Sequence, residues 1–202
     1  IIGSKNLGSM ASRFGFGERT GLPIRGEAPG RVADDEYMIK YEGRRLGLGD
    51  LTNMVIGQGP VTATPLQVAR AMAGIANGEY VPNVRLISQI QDLNNQVIEA
   101  FPPTPRNEVN LKPGYIKSIH KGMRAVVEAG DGTGKAASNR YVSVAGKTGT
   151  AQWTKGRHMA WFAGFLPAKD PQYAFAAIYE GEVGESGISG GKKVAPLVSQ
   201  VF

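Results

Sequence analysis

Between residues 141 and 180 three strand-like segments follow one another with almost nothing between them, and that spacing constrains the fold more than any other feature. In 159–166, Trp161, Ala163 and Phe165 alternate with Phe162, Gly164 and Leu166; in 172–180, Tyr173, Phe175, Ala177 and Tyr179 recur at every second position. Alternation of this kind marks a strand, whose successive side chains point to opposite faces. Parallel neighbours need a crossover of about a dozen residues or more, and the turn from Pro167 to Pro171 is far too short for one. The segments 141–152, 159–166 and 172–180 therefore predict an antiparallel meander. A glycine-rich loop over 181–191 leads from it to a final helix carrying Val194, Leu197, Val198 and Val201.

Upstream the apolar period changes from two to that of a helix. Ile116, Ile119, Met123, Val126 and Val127 line one side of 113–129, with Lys112, Lys117, Lys121 and Arg124 on the other. Thr64-Pro65 is a helix start, Thr as N-cap and Pro in the first turn; the helix runs through Leu66, Ala69, Met72 and Ala76 and stops at Asn77-Gly78. A third helical spacing covers 4–14. The rest of 1–56 is interrupted by glycines, and 31–50, with Asp34, Asp35, Arg44 and Arg45, reads as an exposed excursion. Residues 87–97 read as a strand or hairpin about Asn94-Asn95, 102–105 as a linker, and 130–134 as a flexible loop.

Composition excludes several classes. Glycine supplies 28 of 202 residues, yet with 12 prolines the pair stays below the ~25–30% of low-complexity chains. No cysteine is present, which removes disulfide scaffolds, thiolate metal sites and a cysteine nucleophile. No apolar run approaches the ~18 residues of a membrane span. The net charge of +6 is concentrated in 101–150, where eight Lys and Arg meet three acids. These cations lack interleaved aromatics or a nucleic-acid motif, and they read as a solvated helix face rather than a nucleic-acid surface.

The motifs separate into weak and informative ones. Gly146-Lys147-Thr148 is not a P-loop, because Tyr141 stands where the first glycine belongs and the preceding residues are strand-like. His120, on the polar side of its helix, and His158, at a strand start, have no partner at metal-ligand spacing. Glu27 and the acids at 34–36 have the status of any loop carboxylates. Lys147-Thr148-Gly149-Thr150 is different. In a strand Thr148 and Thr150 share one face and Lys147 takes the other, and a glycine between them permits close approach of a ligand or another backbone. Two hydroxyls, an ammonium and a strand N–H can receive a carboxylate and a developing oxyanion.

The surroundings of that tetrapeptide resemble the transpeptidase domain of class B penicillin-binding proteins, most closely the elongation type. The matching segments are 14–21 (FGFGERTG) with Gly26-Glu27 and Gly30, 56–67 (IGQGPVTATPLQ), 75–78 (IANG), 145–152 (AGKTGTAQ) and 160–167 (AWFAGFLP), in the family's order and over nearly the whole chain. The resemblance implies an α/β fold of the α+β type: an antiparallel sheet flanked by helices beside a helical lobe, as in serine β-lactamases. Residues 1–202 would be the C-terminal part of the domain, with 1–135 the helical, loop-rich lobe and 136–202 the late strands and last helix. The resemblance also implies a site of S-x-x-K, S-x-N and K-T-G. Lys147 would support the S-x-N serine and favour the substrate carboxylate. Thr148 and Thr150 would bind that carboxylate, the N–H of Thr150 would serve the oxyanion, and Gly149 would let substrate lie on the strand.

Ser118-Ile119-His120-Lys121 fits S-x-x-K but lies mid-helix on the cationic side, and Ser4-Lys5-Asn6 fits S-x-N but sits too near Phe14 for the family spacing. The nucleophile, its lysine and S-x-N are therefore expected upstream, and the chain alone is expected to be inactive. The implied function is that of a peptidoglycan D,D-transpeptidase, which cross-links stem peptides through an acyl-serine, is trapped by β-lactams and uses no cofactor or metal. The alternative is a non-catalytic penicillin-binding or β-lactam-sensing module. Expected partners are stem peptides, β-lactams and cell-wall synthesis proteins. The membrane would be reached only through an anchor outside the chain, with the domain on the periplasmic or extracytoplasmic face of the bacterial inner membrane. The strand over 172–180 would leave open an edge that in the family meets an upstream strand.

Overall fold

A computed structural model describes residues 3–202. Its centre is the meander: β7 (Ala145–Thr154), β8 (Arg157–Leu166) and β9 (Tyr173–Glu180) form a three-stranded antiparallel sheet in that order. The two-residue hairpin between β7 and β8 has Gly156 at φ 77°, a backbone shape that favours glycine in such turns. Register places Thr148 opposite Phe162 and Phe162 opposite Ala177, so these three share one face; Ala145 and Phe165 share the other.

Both faces are covered. On the first, Phe162, Ala160 and Leu166 pack with Val194, Ala195 and Val198 of the C-terminal segment, a π-helical turn (Gly190–Val194) running into α6 (Ala195–Val201), and with Val127. On the second, Ala145 and Phe165 pack with Met123, Met72 and Ile75. Those residues belong to α5 (Pro113–Glu128) and α4 (Pro65–Asn77). The start of α4 is as expected: Thr64 Oγ1 accepts from the Gln67 N–H and Gln67 Oε1 from the Thr64 N–H, while Gly78 closes the helix at φ 73°.

The other elements are α1 (Ser4–Arg13), β1 (Arg31–Val32) paired with β2 (Val61–Thr62), α2 (Asp35–Glu42) and α3 (Leu48–Val55). Then come β3 (Tyr80–Pro82) paired with β6 (Pro105–Glu108), and a projecting hairpin of β4 (Gln89–Gln91) and β5 (Val97–Ala100). Polar groups on α4 hold the long 14–30 loop. Gln67 Nε2 donates to the carbonyls of Glu18 at 2.6 Å and Pro29 at 2.7 Å, and the fully buried Arg70 side chain donates to the Gly15 carbonyl at 2.6 Å. Thr20, buried, donates to Glu27, whose carboxyl is thereby held below its usual range. The glycine-rich 14–30 segment thus serves as scaffold.

Five expectations change. The 31–50 excursion contains α2 and the first turn of α3, each with a local cap: Asp34 accepts from the Tyr37 N–H and Asp50 from the Gly47 N–H, and Met38 of α2 is buried. Segment 102–105 ends inside a paired strand, and β7 begins at Ala145 rather than 141. Loop 130–134 is packed, with the Gly134 N–H bonded to the Val126 carbonyl and no room for a Cβ at Gly132. His120 turns inward from α5: its Nε2 lies 2.7 Å from the Ile75 carbonyl and its ring 4.8 Å from Phe165.

Candidate functional site

Where β7 faces away from β8, its backbone borders a cleft of about 650 Å³. In a strand the N–H and C=O of one residue point to the same side, alternating along the chain. The Thr150 carbonyl points outward, because it accepts from Gln58 Nε2 at 2.9 Å, and so does the Thr148 carbonyl, which accepts from Lys147 Nζ at 2.5 Å. The N–H groups of Thr148 and Thr150 therefore also face the cleft, while Lys147 and Gly149 spend theirs on β8. The K-T-G face assignment holds as well: Thr148 and Thr150 oppose Phe162 and Ala160, and Lys147 opposes Ala163 on the other side. All four residues nevertheless border one cleft, because it runs along the strand edge.

Gly146 and Gly149 have different reasons to be glycine. A Cβ at Gly146 would come within 2.7 Å of the Phe162 ring, whereas one at Gly149 would meet nothing closer than Trp161 Cβ at 3.4 Å. The fold requires the first and tolerates a methyl at the second.

Three other segments complete the cleft. Loop 130–134 supplies Thr133, whose hydroxyl lies 2.8 Å from that of Thr148, and the adjoining turn supplies Lys135. The π-helical turn supplies Ser189, Gly190 and Lys192; its backbone lies so close to Gly149 and Trp161 that a Cβ on Gly190 would fall 2.0 Å from the Trp161 carbonyl. The end of α3 supplies Ile56 and Gln58. The lining carries hydroxyls and three ammonium groups and no carboxylate. Such a surface attracts an anion and can donate hydrogen bonds to an oxyanion, a combination that suits acyl transfer to or from a carboxylate-terminated molecule.

Sequence reasoning missed Thr133, Lys135, Gln58, Ser189 and Lys192 as site residues. Gly57-Gln58-Gly59 is visible as a segment without a role, and the glycines around Thr133 read as a flexible loop, whereas the structure packs Thr133 against Thr148. Ser118 and Ser4 stay away from the cleft; Ser118 Oγ donates to the Gly114 carbonyl within α5. A second cavity of about 320 Å³ lies between Arg31, Tyr37, Arg44 and Asp50, but Arg44 is paired with Asp50 and Arg31 stacks on Tyr37, so it offers no group poised for chemistry. Among the described residues no cluster of His, Asp and Glu of metal-binding composition occurs.

A model of the penicillin-binding protein transpeptidase domain matches residues 1–202. The chain is 32% identical, over its whole length, to the peptidoglycan D,D-transpeptidase MrdA of Haemophilus influenzae, of which it covers 32%. It is 29% identical, again over its whole length, to the stage V sporulation protein D of Bacillus subtilis, of which it covers 30%. Among solved structures, Pseudomonas aeruginosa PBP2, crystallised with WCK 5153, superposes with a TM-score of 0.79 at 32% identity over 99% of this chain and 42% of that one. Helicobacter pylori PBP2, in a complex with MreC, superposes with a TM-score of 0.75 at 30% identity over 99% of this chain and 36% of that one. The chain spans about a third of the length of these curated relatives.

Proposed function

Because the chain belongs to the penicillin-binding protein transpeptidase family, we propose that it forms the K-T-G side of a peptidoglycan D,D-transpeptidase active site. The observation that carries this reading is the outward edge of β7 at Thr148 and Thr150, open to a cleft of hydroxyls and ammonium groups. In this reading a serine oxygen attacks the penultimate D-Ala carbonyl of a stem peptide. The tetrahedral oxyanion takes a hydrogen bond from the Thr150 N–H, the C–N bond breaks, and D-Ala leaves with a proton on its amine. An amine of a second stem then displaces the serine from the ester, forming the cross-link. Thr148 and Thr150 hydroxyls hold the terminal carboxylate, Lys147 adds its charge and steadies the partner motif, and Gly149 lets the peptide lie along β7. β-Lactams acylate the same serine.

The nucleophile is proposed to lie outside these 202 residues: neither Ser118 nor Ser4 borders the cleft, and Ser189, which does and stands three residues before Lys192, is engaged as the cap of the π-helical turn, its hydroxyl accepting from the Lys192 N–H. The division at 135/136 into a helical lobe and a late-sheet part belongs to the same reading. So do the location, the outer face of the cytoplasmic membrane through an anchor outside the chain, and partners among cell-wall synthesis proteins, of which the MreC-bound relative is one instance. No helix among the described residues is long and apolar enough to cross a membrane.

Lys147→Ala, in the protein that carries these residues, is expected to slow acylation by a chromogenic cephalosporin by about 10²–10³, the usual cost of one preorganised electrostatic group. A change below about threefold removes Lys147 from the site. Mass spectrometry after penicillin treatment is expected to place the adduct outside the peptide containing Ser118; an adduct there overturns the assignment.

A further inference from the structure

Resting on that reading, we propose that Lys135 and Lys192 are specificity residues for the free carboxylate of the donor, forming with Thr133 a second bank of its anion site. Three ammonium groups border one cleft whose lining holds no acid. None of the three forms an ion pair among the described residues. The contrast with the neighbouring residue is informative. Lys193 is paired with Glu185 at 2.7 Å and lies over the Tyr179 ring, while Lys192, next in the same turn, borders the cleft without a partner.

The two turns that present these lysines interlock at the carboxylate end of the cleft. A Cβ on Gly191 would lie 2.1 Å from the Thr133 carbonyl and 4.0 Å from Thr148 Cγ2, so the π-helical turn abuts loop 130–134 beside Thr148. The Thr133 and Thr148 hydroxyls touch there, 2.8 Å apart. With the oxyanion on the Thr150 N–H, the leaving residue and its carboxylate fall toward Thr148, and so toward Lys135 and Lys192. Like charges collected around a cleft repel until a ligand supplies the opposite sign, so an anionic terminus gains more here than at one lysine alone. A donor with an esterified or amidated terminus forfeits that gain.

The test measures second-order acylation of the protein that carries these residues by benzylpenicillin and by benzylpenicillin methyl ester, which differ in the carboxylate alone. Wild type is expected to prefer the acid, with a preference that weakens as salt rises. Lys135→Ala/Lys192→Ala is expected to lower the acid rate by about three- to tenfold, the sum of two exposed charge pairs, and to leave the ester rate unchanged. Lys135→Arg/Lys192→Arg is expected to restore the acid rate. An equal fall for both compounds, a fall of less than about threefold for the acid, or a wild-type preference indifferent to salt overturns the inference. In each of those cases acylation of wild type by benzylpenicillin still supports the transpeptidase reading, whereas no acylation of wild type by either compound overturns both.

Discussion

Gly146 and Gly164 face each other across β7 and β8, and the two backbones approach closely there because neither has a side chain. A Cβ on Gly164 would lie 2.0 Å from the Ala145 carbonyl oxygen, a backbone atom that moves only if β7 moves. Gly164→Ala is therefore expected to destabilise the protein by about 1–3 kcal/mol, the usual cost of overpacking, and to displace the strand bearing Lys147. Gly149→Ala is the counter-case, because its methyl would meet only ordinary contact with Trp161. It is expected to change stability by no more than ~0.5 kcal/mol yet to slow β-lactam acylation at least tenfold, since the substrate must approach β7 there. Thermal melts and acylation rates of the two variants check the pair; a Gly149→Ala protein with normal acylation means that nothing lies against the strand at that point. The sequence shows every one of these glycines and suggests close approach for the one in K-T-G. What approaches each is a matter of partners remote in sequence. His120 teaches the same lesson: a helical wheel puts it among lysines, and the Ile75 carbonyl and Phe165 ring draw it inward.

Among the elements, α2, α4 and α5 carry their own specification, whereas α3 leans on a residue outside it. Thr64, Pro65, Gln67 and Gly78 mark both ends of α4 by groups that bond within one turn. By contrast α3 begins at a glycine with no side-chain cap of its own, and its first turn is held by Asp50, which accepts from the Gly47 N–H at 2.8 Å and from Arg44. These bonds pull the Asp50 carboxyl from 3.8 to about 2, the Arg44 guanidinium being the larger cause. A carboxyl with a depressed folded pKa adds stability that is complete above its unfolded value and is lost as pH falls through the folded one. The Asp50 contribution is thus expected in full above about pH 3.8 and gone below about pH 2. Asp50→Asn should melt lower than wild type at pH 6 and converge with it toward pH 2. Glu27 and Glu185, also held low, titrate in the same sense in both proteins and cancel in the comparison. A melting difference that stays constant down to pH 2 refutes the role of the Asp50 charge.

At the scale of the molecule, β9 pairs with β8 on one side, and among the described residues no strand meets its other edge. That edge runs from Tyr173 to Glu180, carries one charge at its end, and contains no proline. An apolar edge of this kind, with little charge and no proline, recruits a further strand. The β4–β5 hairpin adds exposed apolar side chains, with Ile90, Leu93, Val97 and Ile98 all open to solvent. The isolated 202-residue chain is therefore expected to self-associate, by strand addition or less regular aggregation. Size exclusion with light scattering decides the point: a monodisperse 21.5 kDa species that unfolds cooperatively shows that the edge is innocuous.

The sequence by itself determined what rests on near neighbours. The meander and its antiparallel sense follow from alternation and short turns, α4 from its caps, α5 from its apolar stripe, and the shared face of Thr148 and Thr150 from the period of the strand. The tertiary structure decided what depends on distant segments. It set Gln58 against Thr150 across 92 positions and Thr133 against Thr148, and it brought Lys192 and Lys135 to the border of one cleft. The physical reason is range. Capping and alternation act within a turn or between adjacent strands, whereas a cleft is made where separate elements meet, and the groups that border it carry no local pattern to announce them.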